Sequence, residues 1–295
     1  MNESLNKALK CLKSHKYQEA VILLEKIYYS QRTRENNYYY FWALFKSHQW
    51  KKALMVSNEY LDEYLKDDDK FYQYLDVLIY NGKILSIFKL YKELLPYLNS
   101  DEKAIFEDKL KNYDKYLTKD QQELKTRVIK KLKYLGAFDV SEQQKILHYI
   151  ELLNPQELLL NAANDLKDEN VIVLVRMSLL NSLREVQDQP LMVLNYVNQL
   201  IKIDPTQLLP LEKTKVYSQL KKEVLNSKKI NESLKWKVIE EGKLYLMVLY
   251  SNLGDFNNSD LLKIILKPQT ALSPSLSKLK QKIKSEINNL ENLKN

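Results

Sequence analysis

Apolar residues along this chain recur every three or four positions with polar and charged residues between them, and no stretch sustains a period-two alternation. Leu75, Leu78, Ile84, Ile87, Tyr91 and Leu94 follow this spacing, as do Leu276, Leu279, Ile283, Ile287, Leu290 and Leu293 near the carboxyl end. The spacing predicts helices with one apolar stripe. Between these two stretches the pattern predicts helices over residues 141–153, 155–166, 170–186, 190–203, 206–225, 230–253 and 261–266. Ser141 followed by Gln144 reads as a capping box, and Pro155 and Pro190 stand at helix starts. Residues 136–141 break the pattern and mark a boundary.

A short phrase within the first helices is written twice. Ser14-His15-Lys16-Tyr17-Gln18-Glu19-Ala20 returns as Ser47-His48-Gln49-Trp50-Lys51-Lys52-Ala53, displaced by 33 positions. A period near 34 is that of a helix-turn-helix repeat. Ala20 and Ala53 are small enough to let paired helices approach closely, and Tyr17 and Trp50, one turn earlier on the same face, cover the seam.

The phrase resembles the tetratricopeptide repeat. One copy runs from about residue 1 to 33 with Ala8, Tyr17, Ala20, Leu24 and Ile27 in the packing places. A second starts at about residue 34 with Phe41, Leu44, Trp50, Ala53, Ser57 and Tyr60, and a third covers about 68–101 with its turn at Asn81-Gly82-Lys83. The third departs from the pattern at Ile87, where a small residue belongs. The resemblance implies an all-α, right-handed superhelical solenoid of stacked antiparallel hairpins, in which the first helix of each repeat lines a concave surface. Carried over by position, that surface holds Tyr38, Tyr39, Trp42 and Phe45 from the second repeat and Tyr72, Gln73, Asp76 and Tyr80 from the third. The alternative for these rings is burial beneath neighbouring helices. Leu5, Leu9, Tyr39, Asp69 and Gln73 stand where a carboxylate clamp would need Lys, Asn and Arg, so that specialisation is not expected. A weaker resemblance, to a HEAT repeat, covers about 155–186, where an acidic turn precedes Val175-Arg176.

The expected organisation is three tetratricopeptide-like repeats in 1–101, a basic helical connector in 102–135, a degenerate helical-repeat region in 136–267 and an amphipathic capping helix in 268–295. A dimerising coiled coil of few heptads is the alternative for that last helix.

Composition agrees with helices and narrows the chemistry. Of 295 residues only 4 are Gly and 7 Pro, which leaves little of the punctuation a sheet protein needs. The single cysteine, Cys11, excludes an internal disulfide framework, and its place on a packing face favours a buried structural role. Residues 1–12 lack the apolar core of a signal peptide, and the longest apolar runs are too short to span a membrane; no membrane partner and a cytoplasmic location are expected.

Net charge +8, with Lys and Tyr interleaved over 103–134, raises nucleic-acid binding as an alternative, but Asp108, Asp114, Asp120 and Glu123 lie among the lysines. His15 and His48 occupy one turn position in successive repeats, too far apart to share a zinc ion. There is no glycine-rich phosphate loop, nucleophile elbow or metal-spaced Cys/His cluster. The sequence therefore points to a non-enzymatic protein-interaction scaffold without cofactor, metal or catalytic residues, taking a protein or peptide segment into an aromatic groove. A peptide-sensing regulator is a further alternative.

Overall fold

In the computed structural model, which describes residues 2–186, 192–196, 199–266 and 273–291, the chain falls into two units, residues 1–124 and 125–295. The first is a run of helices, each packed on the next. It comprises α1 (Asn2–Lys13), α2 (Tyr17–Ser30), α3 (Arg34–Lys46), α4 (Trp50–Asn58), the single turn α5 (Leu61–Tyr64), α6 (Asp68–Tyr80), α7 (Ile84–Leu94) and α8 (Ser100–Asn112). Helix starts are set by short polar side chains. Thr33 accepts from the Asn36 amide at 3.1 Å, Asp67 accepts from the Lys70 amide at 3.0 Å, and Asn99 with Glu102 forms a capping box ahead of α8.

The repeated phrase is a helix terminus of one kind, made three times. The Lys16, Gln49 and Lys83 amides reach back to the Cys11, Leu44 and Leu78 carbonyls, each at 2.9 Å, and the preceding amides bond to Leu12, Phe45 and Ile79. This is the Schellman arrangement, which requires a left-handed residue just past the helix. His15, His48 and Gly82 fill that position with φ of 58°, 59° and 67°. The two histidines are thus turn residues, and each recovers part of its backbone strain through its ring. His15 lies edge-on to Tyr17, with centroids 5.7 Å apart, and His48 edge-on to Trp50 at 4.9 Å. Gly82→Ala should lower stability by about 1 kcal/mol because the new Cβ meets the following carbonyl. His48→Gly should change it little, since relief of the backbone strain offsets removal of the ring from Trp50. Denaturation midpoints of the two variants check this; a Gly82→Ala protein as stable as wild type would exclude the strain argument.

Ala8, Ala20, Ala43 and Ala53 are fully buried where α1 meets α2 and α3 meets α4. Ile87 takes the equivalent place in α7, also buried, and α6 and α7 pack less intimately for it. Cys11 is buried. From α8, Phe106 enters the same core, followed by Tyr113 and Leu117.

The boundary between the units falls within α9 (Lys119–Leu132). The second unit continues with α10 (Val140–Tyr149), α11 (Pro155–Ala162), α12 (Val173–Val186), β1 (Met192–Tyr196), β2 (Gln199–Ile203), α13 (Lys215–Asn226), α14 (Lys235–Val248), α15 (Asn258–Leu266) and α16 (Pro274–Glu291). Helix α12 is its centre, packing on α10, α11, α14 and α16 and burying Leu174, Val175, Met177, Leu179, Leu180 and Leu183. From α16, Ile283 and Ile287 are buried; the side chains of Leu290 and Leu293 lie outside the described residues. The acidic turn expected before Val175-Arg176 is present, and Arg176 Nη1 donates to the Asp168 carbonyl at 2.6 Å.

Three local expectations are corrected. The helix expected over 206–225 starts only at Lys215, capped by Thr214, after short 3-10 turns at Pro205–Gln207 and Leu211–Lys213. The start of α10 is capped by Asp139, whose carboxylate accepts from the Glu142 amide at 2.8 Å, and Ser141 lies inside the first turn. Within the helix expected over 190–203, residues 192–196 and 199–203 are instead two antiparallel strands pairing Met192 with Ile203 and Leu194 with Ile201; the proposed start at Asp188-Gln189-Pro190 lies outside the described residues. Val193, Ile201 and Ile203 favour extended backbone, Met192, Leu194 and Ile203 are buried, and the Asn195 amide donates to the Leu166 carbonyl at 2.7 Å. Elsewhere the architecture is the all-α helical repeat that the spacing predicts; these are its two strands among the described residues.

Candidate functional site

Seen from its polar side, α3 is fixed by groups that leave its aromatic stripe facing outward. Asn37, fully buried, donates to the Val56 carbonyl at 2.8 Å and to the Tyr28 hydroxyl at 3.2 Å, and accepts from the Tyr64 hydroxyl at 2.9 Å. The Tyr28 hydroxyl donates in turn to Glu59. Burial, with the Glu59 carboxylate next, pushes the Tyr28 phenol up to about 12, and burial also raises Tyr64, so both stay protonated donors at any working pH. These bonds tie α3 to α2, α4 and α5 together and set its rotation about its own axis.

With the helix so held, Tyr38, Tyr39, Trp42 and Phe45 are all half-buried. Tyr38 and Trp42 stack with centroids 6.5 Å apart, and Trp42 and Phe45 at 5.8 Å. The row continues through Trp50, edge-on to Phe45 at 5.4 Å, which lies flat on Tyr80 of α6 with centroids 4.2 Å apart and planes 16° from parallel. Tyr80 then meets Tyr116 edge-on at 6.2 Å. Two cations lie over the rings, Lys46 Nζ at 4.4 Å from the centre of Trp42 and Lys70 Nζ at 5.0 Å from that of Tyr38.

The eight residues marked by position differ in what they touch. Tyr38, Trp42, Phe45 and Tyr80 belong to the continuous aromatic row, and Gln73 joins it by accepting from the Tyr38 hydroxyl at 3.5 Å. Tyr39 points its hydroxyl to Glu35 at 3.0 Å on its own helix. Tyr72 is half-buried against Phe71, and Asp76 is neutralised by Lys109 of α8. Burial raises the phenols of Tyr38, Tyr39, Tyr72 and Tyr80.

Position alone missed Trp50, Tyr116 and the cations Lys46 and Lys70 as parts of this face. A signal for the contacts between hairpins was present. Tyr38–Gln73, Asp76–Lys109, Trp50–Asn81 and Gln18–Gln49 are 35, 33, 31 and 31 residues apart, so the repeat period itself selects the partners. Over 103–134, five of the ten Lys and Arg residues make ion pairs among the described residues. Lys109 meets Asp76, Lys103 meets Glu107, Lys119 meets Glu123, Lys125 meets Glu157 and Lys131 meets Glu142.

Residues 13–85, from the end of α1 into α7, match the family described as anaphase-promoting complex, cyclosome, subunit 3. The amino-terminal unit is a tetratricopeptide-like repeat array. Its three turns fall within the matched residues. No curated protein and no solved structure matches the chain. A tetratricopeptide-like array of this kind points to a role in protein-protein interaction. Among the described residues no His, Cys, Asp and Glu side chains gather as a metal would require, and no helix is long and apolar enough to cross a membrane.

Proposed function

We propose that this protein is a non-enzymatic scaffold whose tetratricopeptide-like unit holds a protein segment against Tyr38, Trp42, Phe45, Trp50 and Tyr80. Tyr39, Tyr72, Gln73 and Asp76 border that contact. The reading rests chiefly on the unbroken row of half-buried rings from Tyr38 to Tyr80. Such rings are already ordered, so a partner's apolar side chains gain contact area at small entropic cost, and Trp and Tyr dominate binding energy where they anchor an interface. Lys46 at the edge favours a segment with an acidic residue beside its apolar ones, whereas Lys70 is paired with Asp67. The cytoplasm, where Cys11 stays a thiol, is the proposed location.

Affinity capture from a lysate of the source cell, with nuclease and salt titration in parallel, tests the proposal. A protein held by the full chain should bind about 30-fold more weakly to Trp42→Ala, a loss of about 2 kcal/mol. It should bind normally to Lys130→Glu/Lys131→Glu. Material that is nuclease-sensitive, salt-labile and lost only on the lysine changes would overturn the scaffold in favour of nucleic acid.

A further inference from the structure

The charge of the chain lies almost wholly in its second unit. Residues 1–124 hold 20 Lys and Arg against 19 Asp and Glu, whereas residues 125–295 hold 26 against 19. Within that unit, residues 221–237 carry six lysines and two glutamates. They form the end of α13, the connection after it and the first turn of α14. One lysine, Lys235, is buried and clamps the connection, donating to the Leu225 carbonyl at 2.7 Å and pairing with Glu232 at 2.7 Å. The other five are exposed.

At the same end stand large apolar side chains that the core does not take. Trp236 is 58% exposed and Leu234 49%, with Leu225 beside them on the last turn of α13. Lys221, one turn before Leu225, places Nζ 5.5 Å from the centre of the Trp236 ring. Lys228 and Lys229 lie exposed in the connection, with no carboxylate among the described residues within ion-pair distance.

We infer that this end of the α13–α14 hairpin docks on the surface of an anionic lipid bilayer. Each ingredient suits that occupant. A tryptophan with leucines beside it can enter the headgroup boundary, where an indole is at home between water and hydrocarbon. Lysines around them reach the anionic headgroups while their stems lie along the apolar residues. Nucleic acid fits less well, since the patch offers a single aromatic ring for stacking and the last arginine of the chain is Arg184. Attachment to one leaflet needs no spanning helix.

The test is flotation of the full chain with vesicles of phosphatidylcholine alone and with vesicles about one-third phosphatidylserine, at an ionic strength of about 0.1 M. Binding should appear on the anionic vesicles and be at least about tenfold weaker on the neutral ones. Lys228→Gln/Lys229→Gln should weaken it about 30-fold, each lysine near an anionic surface being worth about fivefold. Tryptophan emission should shift to the blue on binding, and that shift should vanish in Trp236→Phe. All three substitutions are at exposed positions, so unchanged thermal melts separate lost docking from lost folding. Equal binding to both vesicles, insensitivity to the lysine changes, or an emission shift that survives in Trp236→Phe would overturn the inference. So would tighter binding to a single-stranded oligouridylate that displaces the vesicles, which would assign the patch to nucleic acid.

Discussion

Asp165→Asn should be more stable than the wild-type protein at pH 8 and should abolish a fall in stability that the wild type shows between pH 5 and pH 8. Asp165 follows α11 in the acidic turn and is 4% exposed, and its Oδ2 atom has no hydrogen-bond partner. Burial, with the nearby Asp168 charge next, raises its carboxyl from 3.8 to about 8. At pH 6 the folded protein therefore keeps a proton there that the unfolded chain has released. Stability falls wherever the folded state binds the extra proton, so the loss starts near pH 4 and levels off near pH 8. At about 1.4 kcal/mol per pH unit, the full loss is on the order of several kcal/mol.

Glu142 and Glu212 shift the other way, lowered first by their bonds to Lys131 and Lys243, so their contribution is complete above pH 5 and does not mask the trend. Asparagine keeps the shape and discards the ionisation. Urea titrations at pH 5 and pH 8 read the difference through the second unit's transition. A mutant whose stability tracks the wild type at both pH values would show that Asp165 is solvated in solution.

The same turn shows where sequence reading reaches its limit. The phrase around His15 and His48 was legible because each residue type has a local reason, a left-handed turn and then a small residue at a crossing. The hairpin over 192–203 was not, since its alternation is only a few residues long and β1 is held by the Asn195 amide reaching the Leu166 carbonyl, an interaction no local window contains. Gly136 read only as a break in helical pattern. In the fold it is a point of close approach, where an added Cβ would lie 2.2 Å from Asp168 Oδ2. At the candidate site the stripe on α3 was legible from spacing, whereas the Trp50–Tyr80 stack and the Asp76–Lys109 pair needed the register between hairpins.

Asn37→Leu should lower stability by about 3 kcal/mol and weaken whatever binds the aromatic row. Leucine keeps the branched outline of asparagine with methyls in place of the amide oxygen and nitrogen, so the polar groups around it are left without partners. The Val56 carbonyl loses its donor, and the fully buried Tyr64 hydroxyl loses its acceptor. If stranding is the cause, Tyr64→Phe in the Asn37→Leu background should recover about 1–2 kcal/mol, although alone in the wild type it destabilises. Additive losses would refute the network and leave packing as the explanation. Binding separates the two further. Asn37 makes its hydrogen bonds to Tyr28, Val56 and Tyr64, outside the aromatic row, and those bonds to α2, α4 and α5 fix how α3 is turned, so that Trp42 and Phe45 are carried by that rotation. Folded Asn37→Leu protein, assayed well below its melting temperature, should therefore bind the captured partner more weakly. Undiminished affinity in that state would mean that the tilt of α3 is set by its apolar packing, with Asn37 serving stability alone.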